Sequence, residues 1–291
     1  MVSVVMPSYN SEKYIAESIQ SIIDQTYTNW EFIIVDGHSS DKTIEIINRY
    51  IEKDCRIKFV FDEGKGIGAA LNQGCKLAKG KYIARMDTDD ISLPNRFEEE
   101  VRFLENHKDC VLVSAAAIYI DENSKEIGYS FPYTWPSLVR NNPTGINHPC
   151  VMMRKDKYLL TGGYPPIKRA EDLMLWHLLM KYGKIKILEK MLLKYRLSDD
   201  SLTCHTTSFF NKNVNNVWKK YSNCDLSDVK ILDEINTFIR DNVTNSKVEF
   251  KRKNDIEKEL LSTFSHFMPP SIAIKLIFFL KNLYGILGHV Q

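Results

Sequence analysis

The feature that most constrains the fold is a regular alternation of short apolar runs with helical segments over the first hundred residues. Four runs rich in β-branched residues, VSVVM, EFIIVD, IKFVF and KYIARM, are typical of buried strands. Between the first two runs, Ile15, Ile19, Ile22 and Ile23 recur at helical spacing. Strands separated by helices predict an α/β fold, in which helices cover both faces of a mainly parallel sheet.

Beyond residue 110 the alternation is less regular. The segment 110–200 predicts further strands and loops and one clear helix, EDLMLWHLLMKYG. The apolar face of this helix is expected to carry Leu173, Trp176, Leu179 and Met180. From about Thr206 onwards, charged helical segments predominate, and no internal repeat is present.

Composition excludes several classes of protein. The apolar share of 44% is ample for a folded core, and a net charge of +2 without a basic, aromatic-rich stripe argues against a nucleic-acid partner. The six cysteines show no metal-ligand or redox spacing, which favours free thiols in a reducing compartment. The N-terminal stretch MVSVVMPSYN lacks the features of a signal peptide, and no apolar run approaches the ~20 residues of a spanning helix. We therefore expect a cytoplasmic protein.

Three carboxylates follow the fourth apolar run, in the stretch Asp87-Thr88-Asp89-Asp90. In an extended chain Asp87 and Asp89 would point one way and Asp90 the other. Parallel sheets bind ligands at the carboxyl ends of their strands, and a compensating cation from outside the protein is expected there. Two carboxylates suit Mg²⁺ or Mn²⁺. The alternative is a solvated acidic turn in which Asp90 or Ser92 caps the following helix.

Five stretches, taken together and in this order, resemble the family 2 glycosyltransferases. They are VSVVMPSYN, IIVDGHSSDKT, GIGAALNQGCKLAKGKYIARMDTDD, HPCVMMRK and EDLMLWHLL. The resemblance covers roughly residues 1–205 and implies the GT-A fold, a Rossmann-like mixed, mainly parallel sheet flanked by helices. It implies a catalytic domain over 1–205, with a nucleotide-sugar half at 1–110 and an acceptor half at 111–205. Residues 206–291 would then form a C-terminal helical extension.

The resemblance also implies roles for residues of the first half. Pro7 and Tyr9 would begin the nucleotide pocket, and Asp36 would accept a hydrogen bond from the base, usually uracil; capping of the helix after Gly37 is a compatible alternative. Asp87 and Asp89 match the DxD pair, with Asp89 in direct contact with Mn²⁺ or Mg²⁺. The other positions implied to bind the nucleotide sugar are Asn10, Gly66, Asn72, Arg85 and Thr88.

Two positions depart from the family pattern. Leu71 stands where many relatives carry an Arg near the diphosphate, and Gly64 stands where relatives often have Asn or Asp. Arg85, just before the DxD pair, is a substitute cation on one interpretation and a structurally paired arginine on the other. The stretch GKGIG does not fit a dinucleotide-binding fingerprint, because its third glycine falls one position early.

The second half is implied to supply the acceptor side. Glu171 and Asp172 match the family's ED motif, in which the aspartate is the general base and Glu171 can hold the acceptor. The alternative places both in the first helical turn, where acidic residues favour the helix dipole. His148 is an acceptor-side candidate or a packing residue, and Trp176 is a sugar platform or, preferably, a packing residue. His205 is a candidate for the diphosphate.

The implied reaction is transfer of a hexose or N-acetylhexosamine, with inversion, from a UDP-linked sugar to a glycan hydroxyl. Two alternatives stay open, a polyprenyl-phosphate acceptor and a non-catalytic nucleotide-binding scaffold. The apolar segment 268–291 carries Lys275 and Lys281 and would lie on a membrane, pack on the catalytic domain or form an oligomer contact. The first possibility predicts a lipid-linked acceptor and a peripheral location at the inner face of the cell membrane.

Overall fold

The alternating apolar runs form the parallel part of a mixed sheet. The structure, a computed structural model, describes residues 1–63, 66–130, 146–167, 170–197 and 228–243. Four parallel strands lie side by side in the order β3-β2-β1-β4, as the alternation predicts. These strands and the helices between them are β1 (Val2–Ser8), α1 (Ile15–Ile23), β2 (Trp30–Asp36), α2 (Thr43–Ile51), β3 (Ile57–Phe61), α3 (Ile67–Leu77) and β4 (Tyr82–Arg85).

The second half of the described chain extends the same sheet with antiparallel and parallel pairs. Its elements are β5 (Ile91–Ser92), α4 (Arg96–Asn106), β6 (Cys110–Ile120), β7 (Glu126–Ser130), a 3₁₀ turn (His148–Cys150), β8 (Met152–Arg154), α5 (Lys155–Leu160), α6 (Glu171–Leu179), β9 (Lys184–Arg196) and α7 (Val229–Val243). Strand β8 runs antiparallel between β4 and β6, and β9 lies parallel to β6. Strand β5 pairs with β9, and β7 pairs with β6. The mixed α/β fold is confirmed.

Both faces of the sheet are covered, because successive residues of each strand point to opposite sides. Val5 joins a core beneath α3 and α6, whereas Val4 and Met6 join a core beneath α1 and α4. Each of these three side chains is fully buried. The two cores hold the carboxyl ends of β1, β2 and β4 at one edge.

Two details of the second half differ from expectation. Helix α5 was not predicted, because a helix of six residues in which only Tyr158 is fully buried gives no periodic signal. Helix α6 is also buried on nearly every side rather than on one face, since Met174, Leu175 and His177 are as enclosed as the predicted apolar positions. The 3.6-residue pattern predicted the helix itself but not that its other faces are buried as well.

Helix α7 belongs to the predicted C-terminal region and packs against the core beneath α3 and α6. Its Ile235 is fully buried, and Ile231 and Leu232 pack partly buried against the core that contains α3 and α6. His205 and the apolar segment 268–291 lie outside the described residues. Among the helices that are described, none is both long enough and apolar enough to cross a bilayer.

Helix α3 approaches β1 and β2 closely because residue 74 has no side chain. A Cβ added at Gly74 would overlap Cγ1 of Val5 and lie 3.1 Å from Cγ2 of Val35. We expect Gly74→Ala to lower the free energy of unfolding by about 1–3 kcal/mol, because α3 must shift from the sheet. Urea denaturation measures the loss.

The matched control is Gly128→Ala in β7. There the nearest atom to an added Cβ would be Cδ2 of Tyr119, at an ordinary contact distance of 3.6 Å. This variant should keep nearly the stability of the original chain. Equal losses in the two variants would contradict the close approach of α3 to the sheet.

Candidate active site

The loops that follow β1 and β2 are hydrogen-bonded to each other at the carboxyl edge of the sheet. The backbone N–H of Ser40 donates to Oδ1 of Asn10 at 2.9 Å, and the N–H of Asn10 donates to Oγ of Ser39 at 2.8 Å. Asn10 has a φ of 44°, a conformation that asparagine tolerates better than most residues. Asn10 therefore fixes the two loops to each other, and its contact with a nucleotide stays a prediction.

The fully buried Asp36 organises the loop after β2. Its Oδ2 accepts hydrogen bonds from the hydroxyls of Ser8 and Ser39, at 2.6 and 2.7 Å, and its Oδ1 accepts the N–H of Ser39 at 2.7 Å. The helix-capping alternative for Asp36 is wrong, because α2 begins at Thr43 and Oδ1 of Asp41 accepts the N–H of Thr43 at 3.0 Å. Recognition of a base by Asp36 stays a prediction.

Three rings stand at the outer edge of these loops. Tyr9 is 65% exposed, and a Cβ added at Gly37 would lie 3.4 Å from its ring. His38 stacks on Phe61, with 4.8 Å between ring centroids and an interplanar angle of 5°. Flat, exposed rings of this kind suit stacking against a planar base. His38 and Phe61 were not predicted, since only their positions after two adjacent strands would have indicated them.

The carboxylates of Asp87, Asp89 and Asp90 form one cluster, with ligand oxygens within 4.8 Å of one another. The prediction that Asp90 points away is wrong, because β4 ends at Arg85 and the chain bends at residues 88–89, so the alternation of a strand does not apply. Burial, followed by the charge of Asp87, raises the pKa of Asp89 to about 6. The cluster is therefore costly to ionise without a cation.

A solvated acidic turn does not describe this cluster. Asp90 is only 1% exposed, its Oδ1 accepts the N–H of Arg196 at 2.8 Å, and its Oδ2 has no hydrogen-bond partner among the described residues. Neither Asp90 nor Ser92 caps α4, which begins at Arg96. Three hard oxygen donors within reach of one point, one of them an unpartnered buried oxygen, fit Mg²⁺ or Mn²⁺.

Arg85 supplies positive charge at the cluster, as the interpretation of a structurally paired arginine predicts, and the cation from outside the protein stays a prediction. Arg85 is 4% exposed and forms an ion pair with Asp87, and its Nε has no hydrogen-bond partner in the part of the chain that the structure describes. The charge of Arg85 also lowers the pKa values of Asp89 and Asp172, against the larger raising effect of burial. Arg85 therefore acts on both predicted carboxylate pairs. Its contact with a diphosphate stays a prediction.

Arg196, at the end of β9, fixes the loop that bears the cluster. This fully buried arginine donates from Nε to the carbonyl of Asp89 at 2.8 Å, from Nη1 to the carbonyl of Asp121 at 2.8 Å and from Nη2 to Oε2 of Glu17 at 2.7 Å. Its guanidinium also lies 4.1 Å from the ring centroid of Tyr14. No signal in the sequence had singled out Arg196.

The second carboxylate pair lies in the first turn of α6. Burial, followed by the charge of Asp172, raises the pKa of Glu171 to about 7. Burial also raises the pKa of Asp172, whose Oδ1 accepts the N–H of Leu173 at 2.7 Å. The residue before the pair, Ala170, has a φ of 61° and turns the chain into the helix. The first-turn position is confirmed, and the roles of base and acceptor contact stay predictions.

His148 faces this pair from the 3₁₀ turn. Its Nδ1 lies 3.8 Å from Oδ2 of Asp172, and its Nε2 lies 3.0 Å from the hydroxyl of Tyr164, within hydrogen-bond distance. Burial, aided by the charge of Arg85, lowers the pKa of His148 well below its ordinary value. His148 also packs edge-on against Trp176, with 5.4 Å between centroids. Because Trp176 is only 1% exposed, its sugar-platform alternative is wrong.

Asn72 connects the two halves of the site. Its Oδ1 accepts hydrogen bonds from the hydroxyl of Tyr158 at 2.5 Å and from the N–H of Tyr164 at 2.8 Å, and its Nδ2 donates to the carbonyl of Tyr164 at 2.8 Å. These bonds hold Tyr164 where it meets His148. The side-chain amide of Asn72 is thus hydrogen-bonded within the protein, and its contact with the nucleotide sugar stays a prediction.

The remaining predicted residues lie along the same edge. Pro7 is half-buried in β1, and Thr88 donates from its hydroxyl to Oγ of Ser11 at 2.9 Å. Gly66 precedes α3 with a φ of 93°, which favours glycine at this position. Contacts of Pro7, Thr88 and Gly66 with a nucleotide sugar stay predictions.

Replacement of Arg85 tests the charge balance of the cluster. Because Arg85 competes with a metal ion for Asp87, Arg85→Met should bind Mn²⁺ several-fold more tightly than the original chain in the absence of nucleotide. Arg85→Lys, which keeps the charge, should bind it about as the original chain does. Electron paramagnetic resonance of free Mn²⁺ measures the affinities.

Loss of a buried ion-pair partner lowers stability, so each variant also needs a melting curve with and without Mn²⁺. The upward shift of Tm caused by Mn²⁺ should be larger in Arg85→Met than in Arg85→Lys. Weaker Mn²⁺ binding in Arg85→Met than in the original chain would contradict the competition.

Comparison with known protein sequences gives one family. A family model described as Glycosyl transferase family 2 matches residues 3–162. An uncharacterized glycosyltransferase from Methanocaldococcus jannaschii is 39% identical over 208 residues, which cover 68% of this chain and 71% of that protein. The UDP-Glc:alpha-D-GlcNAc-diphosphoundecaprenol beta-1,3-glucosyltransferase WfgD from Escherichia coli is 33% identical over 208 residues, which cover 70% of this chain and 79% of WfgD.

Solved structures share the fold at low sequence identity. S. aureus TarS 1-349 in complex with UDP-GlcNAc has a TM-score of 0.62 and 21% identity, over 84% of this chain and 73% of that one. The mannosyltransferase PcManGT from Pyrobaculum calidifontis, in complex with GDP-Man and Mn²⁺, has a TM-score of 0.61 and 16% identity, over 97% of this chain and 79% of that one. At these identities the likeness establishes the fold alone, which is GT-A.

Proposed function

This chain belongs to glycosyl transferase family 2, and from that membership we propose an inverting transfer of a hexose or N-acetylhexosamine from a nucleoside diphosphate sugar to a glycan hydroxyl. The observation that carries the proposal is that Arg85 pairs with one carboxylate group and lies within electrostatic reach of the other. Arg85 pairs with Asp87 of the cluster, and its charge also acts on Asp172 of the second pair. A sugar carbon that reacts between these groups would have the departing diphosphate on one side and the attacking hydroxyl on the other.

On the leaving-group side, the chain's own residues would bind and orient the diphosphate. Arg85 has a buried Nε with no hydrogen-bond partner among the described residues, and Arg196 holds the loop of Asp89 by its bond to the backbone carbonyl. Asp87 and Asp89 would hold Mg²⁺ or Mn²⁺, which neutralises negative charge on a departing diphosphate. The presence of Mn²⁺ in the PcManGT complex supports this assignment.

On the attacking side, Asp172 would accept the proton of the acceptor hydroxyl. The acceptor oxygen forms a bond to the anomeric carbon as the bond from that carbon to the diphosphate oxygen breaks, and the proton passes to Asp172. Attack from the face opposite the diphosphate inverts the configuration. The N–H of Leu173, which donates to Oδ1 of Asp172 at 2.7 Å, would keep this carboxylate oriented, and His148, whose pKa is lowered by burial, would not compete for the proton.

The donor is proposed to be UDP-linked and the acceptor lipid-linked. Buried Asp36 and the exposed rings of Tyr9 and His38 give the base a polar and a stacking contact. The UDP-GlcNAc complex of TarS supports a UDP sugar. The name of WfgD, which acts on a diphosphoundecaprenol-linked sugar, supports a lipid-linked saccharide, reached from the inner face of a membrane during polysaccharide synthesis.

The variant Asp172→Asn tests the base. It should lower kcat by about 10²–10⁴-fold, the usual contribution of general base catalysis, and leave the Kd for the UDP sugar unchanged. The matched control is Asp156→Asn, an exposed aspartate at the start of α5. Release of UDP in the presence of a glycan acceptor measures turnover, and calorimetry measures donor binding.

The pH profile separates this role from a merely structural one. Because burial raises the pKa of Asp172, kcat should fall on the acid side at a pH above the ordinary aspartate range, and Asp172→Asn should lack that fall. Full activity of Asp172→Asn toward a polyprenyl phosphate would instead favour the phosphate acceptor, whose nucleophile is already an anion. Donor binding without turnover on either acceptor would indicate a scaffold.

A further inference from the structure

The end of the sheet away from the candidate active site carries an open cavity lined by cations. We call it the basic patch, and it lies where β4 begins, with a volume of about 580 Å³. Five positively charged side chains and one carboxylate line it, together with Leu159. The charged residues are Lys81, Lys108, Arg154, Lys155, Lys157 and Asp156.

Exposed apolar side chains border the basic patch. Leu159 and Leu160, at the end of α5, are 58% and 56% exposed, and Leu77 and Tyr182, at the ends of α3 and α6, are 45% and 41% exposed. The hydroxyl of Tyr182 donates to the carbonyl of Leu160 at 2.9 Å. Of the seven large apolar side chains that are exposed in the described residues, these four lie in one region. Such a concentration marks an interaction surface.

The chain's positive charge is concentrated at this patch. Its five cations are opposed by Asp156 and by Glu105, which pairs with both Lys81 and Lys108. Five cations against two carboxylates leave a net charge of +3, whereas the whole chain has only +2. Arg154 is only 7% exposed and donates to backbone carbonyls, so the exposed positive charge comes from the lysines, which favour an anionic partner.

Charge also decides between the possible occupants. A second copy of the chain would bring the same positive patch against this one. The chain's own apolar segment 268–291 carries Lys275 and Lys281 and no acidic residue, so it has the same sign. An anionic bilayer provides negative headgroups for the lysines and an apolar phase for the leucines.

We propose that the basic patch and its bordering leucines dock the protein onto a surface of anionic phospholipid. Docking rests on the proposed function, because an enzyme with a lipid-linked acceptor must meet that acceptor at a membrane. Helix α6 carries Asp172 in its first turn, and Tyr182 lies ten residues further on. Because α6 ends at Leu179, the seven helical residues after Asp172 place the base about 10 Å along the helix axis from the end that approaches the patch.

Sedimentation of the full chain with vesicles tests the docking. The original chain should bind vesicles that contain phosphatidylglycerol and not vesicles of phosphatidylcholine alone. Two double variants, Leu159→Ser with Leu160→Ser and Lys108→Glu with Lys157→Glu, should each weaken binding by about tenfold or more. The matched control is Lys53→Glu with Lys125→Glu, which changes the same charge at exposed lysines elsewhere and should bind as the original chain does.

Each outcome bears on a separate claim. Unchanged vesicle binding in both patch variants, or equal binding to the two kinds of vesicle, would overturn the docking proposal. If the leucine variant loses a dimer but still binds vesicles, a second copy of the chain occupies the basic patch. That result would also overturn the docking proposal. The patch variants should transfer sugar to a water-soluble glycan as the original chain does. Their affinity for the UDP sugar should also be unchanged. Vesicle binding by an original chain that transfers no sugar would refute the proposed function alone.

Discussion

The ion pair between Arg85 and Asp87 is the interaction on which the rest of the site depends. It joins a buried arginine to a partly exposed aspartate, and Asp89, Asp90 and Asp172 lie within electrostatic reach. One arginine cannot balance so many carboxylates, and burial accordingly raises several of their pKa values. The site is thus destabilised by negative charge in the free protein. That imbalance gives a divalent cation and its ligand a favourable place to bind.

The fold supplies this arrangement from distant parts of the chain. Strand β4 delivers Arg85 and the cluster to the carboxyl edge, and β9 returns Arg196 to the same loop from 107 residues away. The enclosed helix α6 presents its first turn, with Glu171 and Asp172, to the same place. Asn72 connects the two halves through the segment that carries Tyr164. Catalytic groups on a sheet edge and a buried helix are held more rigidly than groups on free loops.

Local patterns in the sequence predicted the elements whose signal is local. The β-branched runs gave β1 to β4, isoleucine spacing gave α1, and the two carboxylate pairs were recognised by motif. Arg196 was not predicted, because it contacts the backbone carbonyl of a residue that is far away in the sequence. The direction of the Asp90 side chain was predicted wrongly, because the chain bends after Arg85 and does not continue as a strand. For Trp176 the preferred interpretation, a packing residue on the apolar face of its helix, is confirmed, because the ring is only 1% exposed.

In the proposed mechanism, the acidic cluster and Asp172 flank one sugar carbon from opposite sides. Diffraction at the manganese absorption edge, from crystals grown with a non-hydrolysable UDP sugar and Mn²⁺, tests this arrangement. We expect a manganese peak at the carboxylate of Asp89, Arg85 turned from Asp87 toward the diphosphate, and Asp172 facing the anomeric carbon from the far side. A donor bound with no manganese peak, or with Asp172 on the diphosphate side of that carbon, would contradict it.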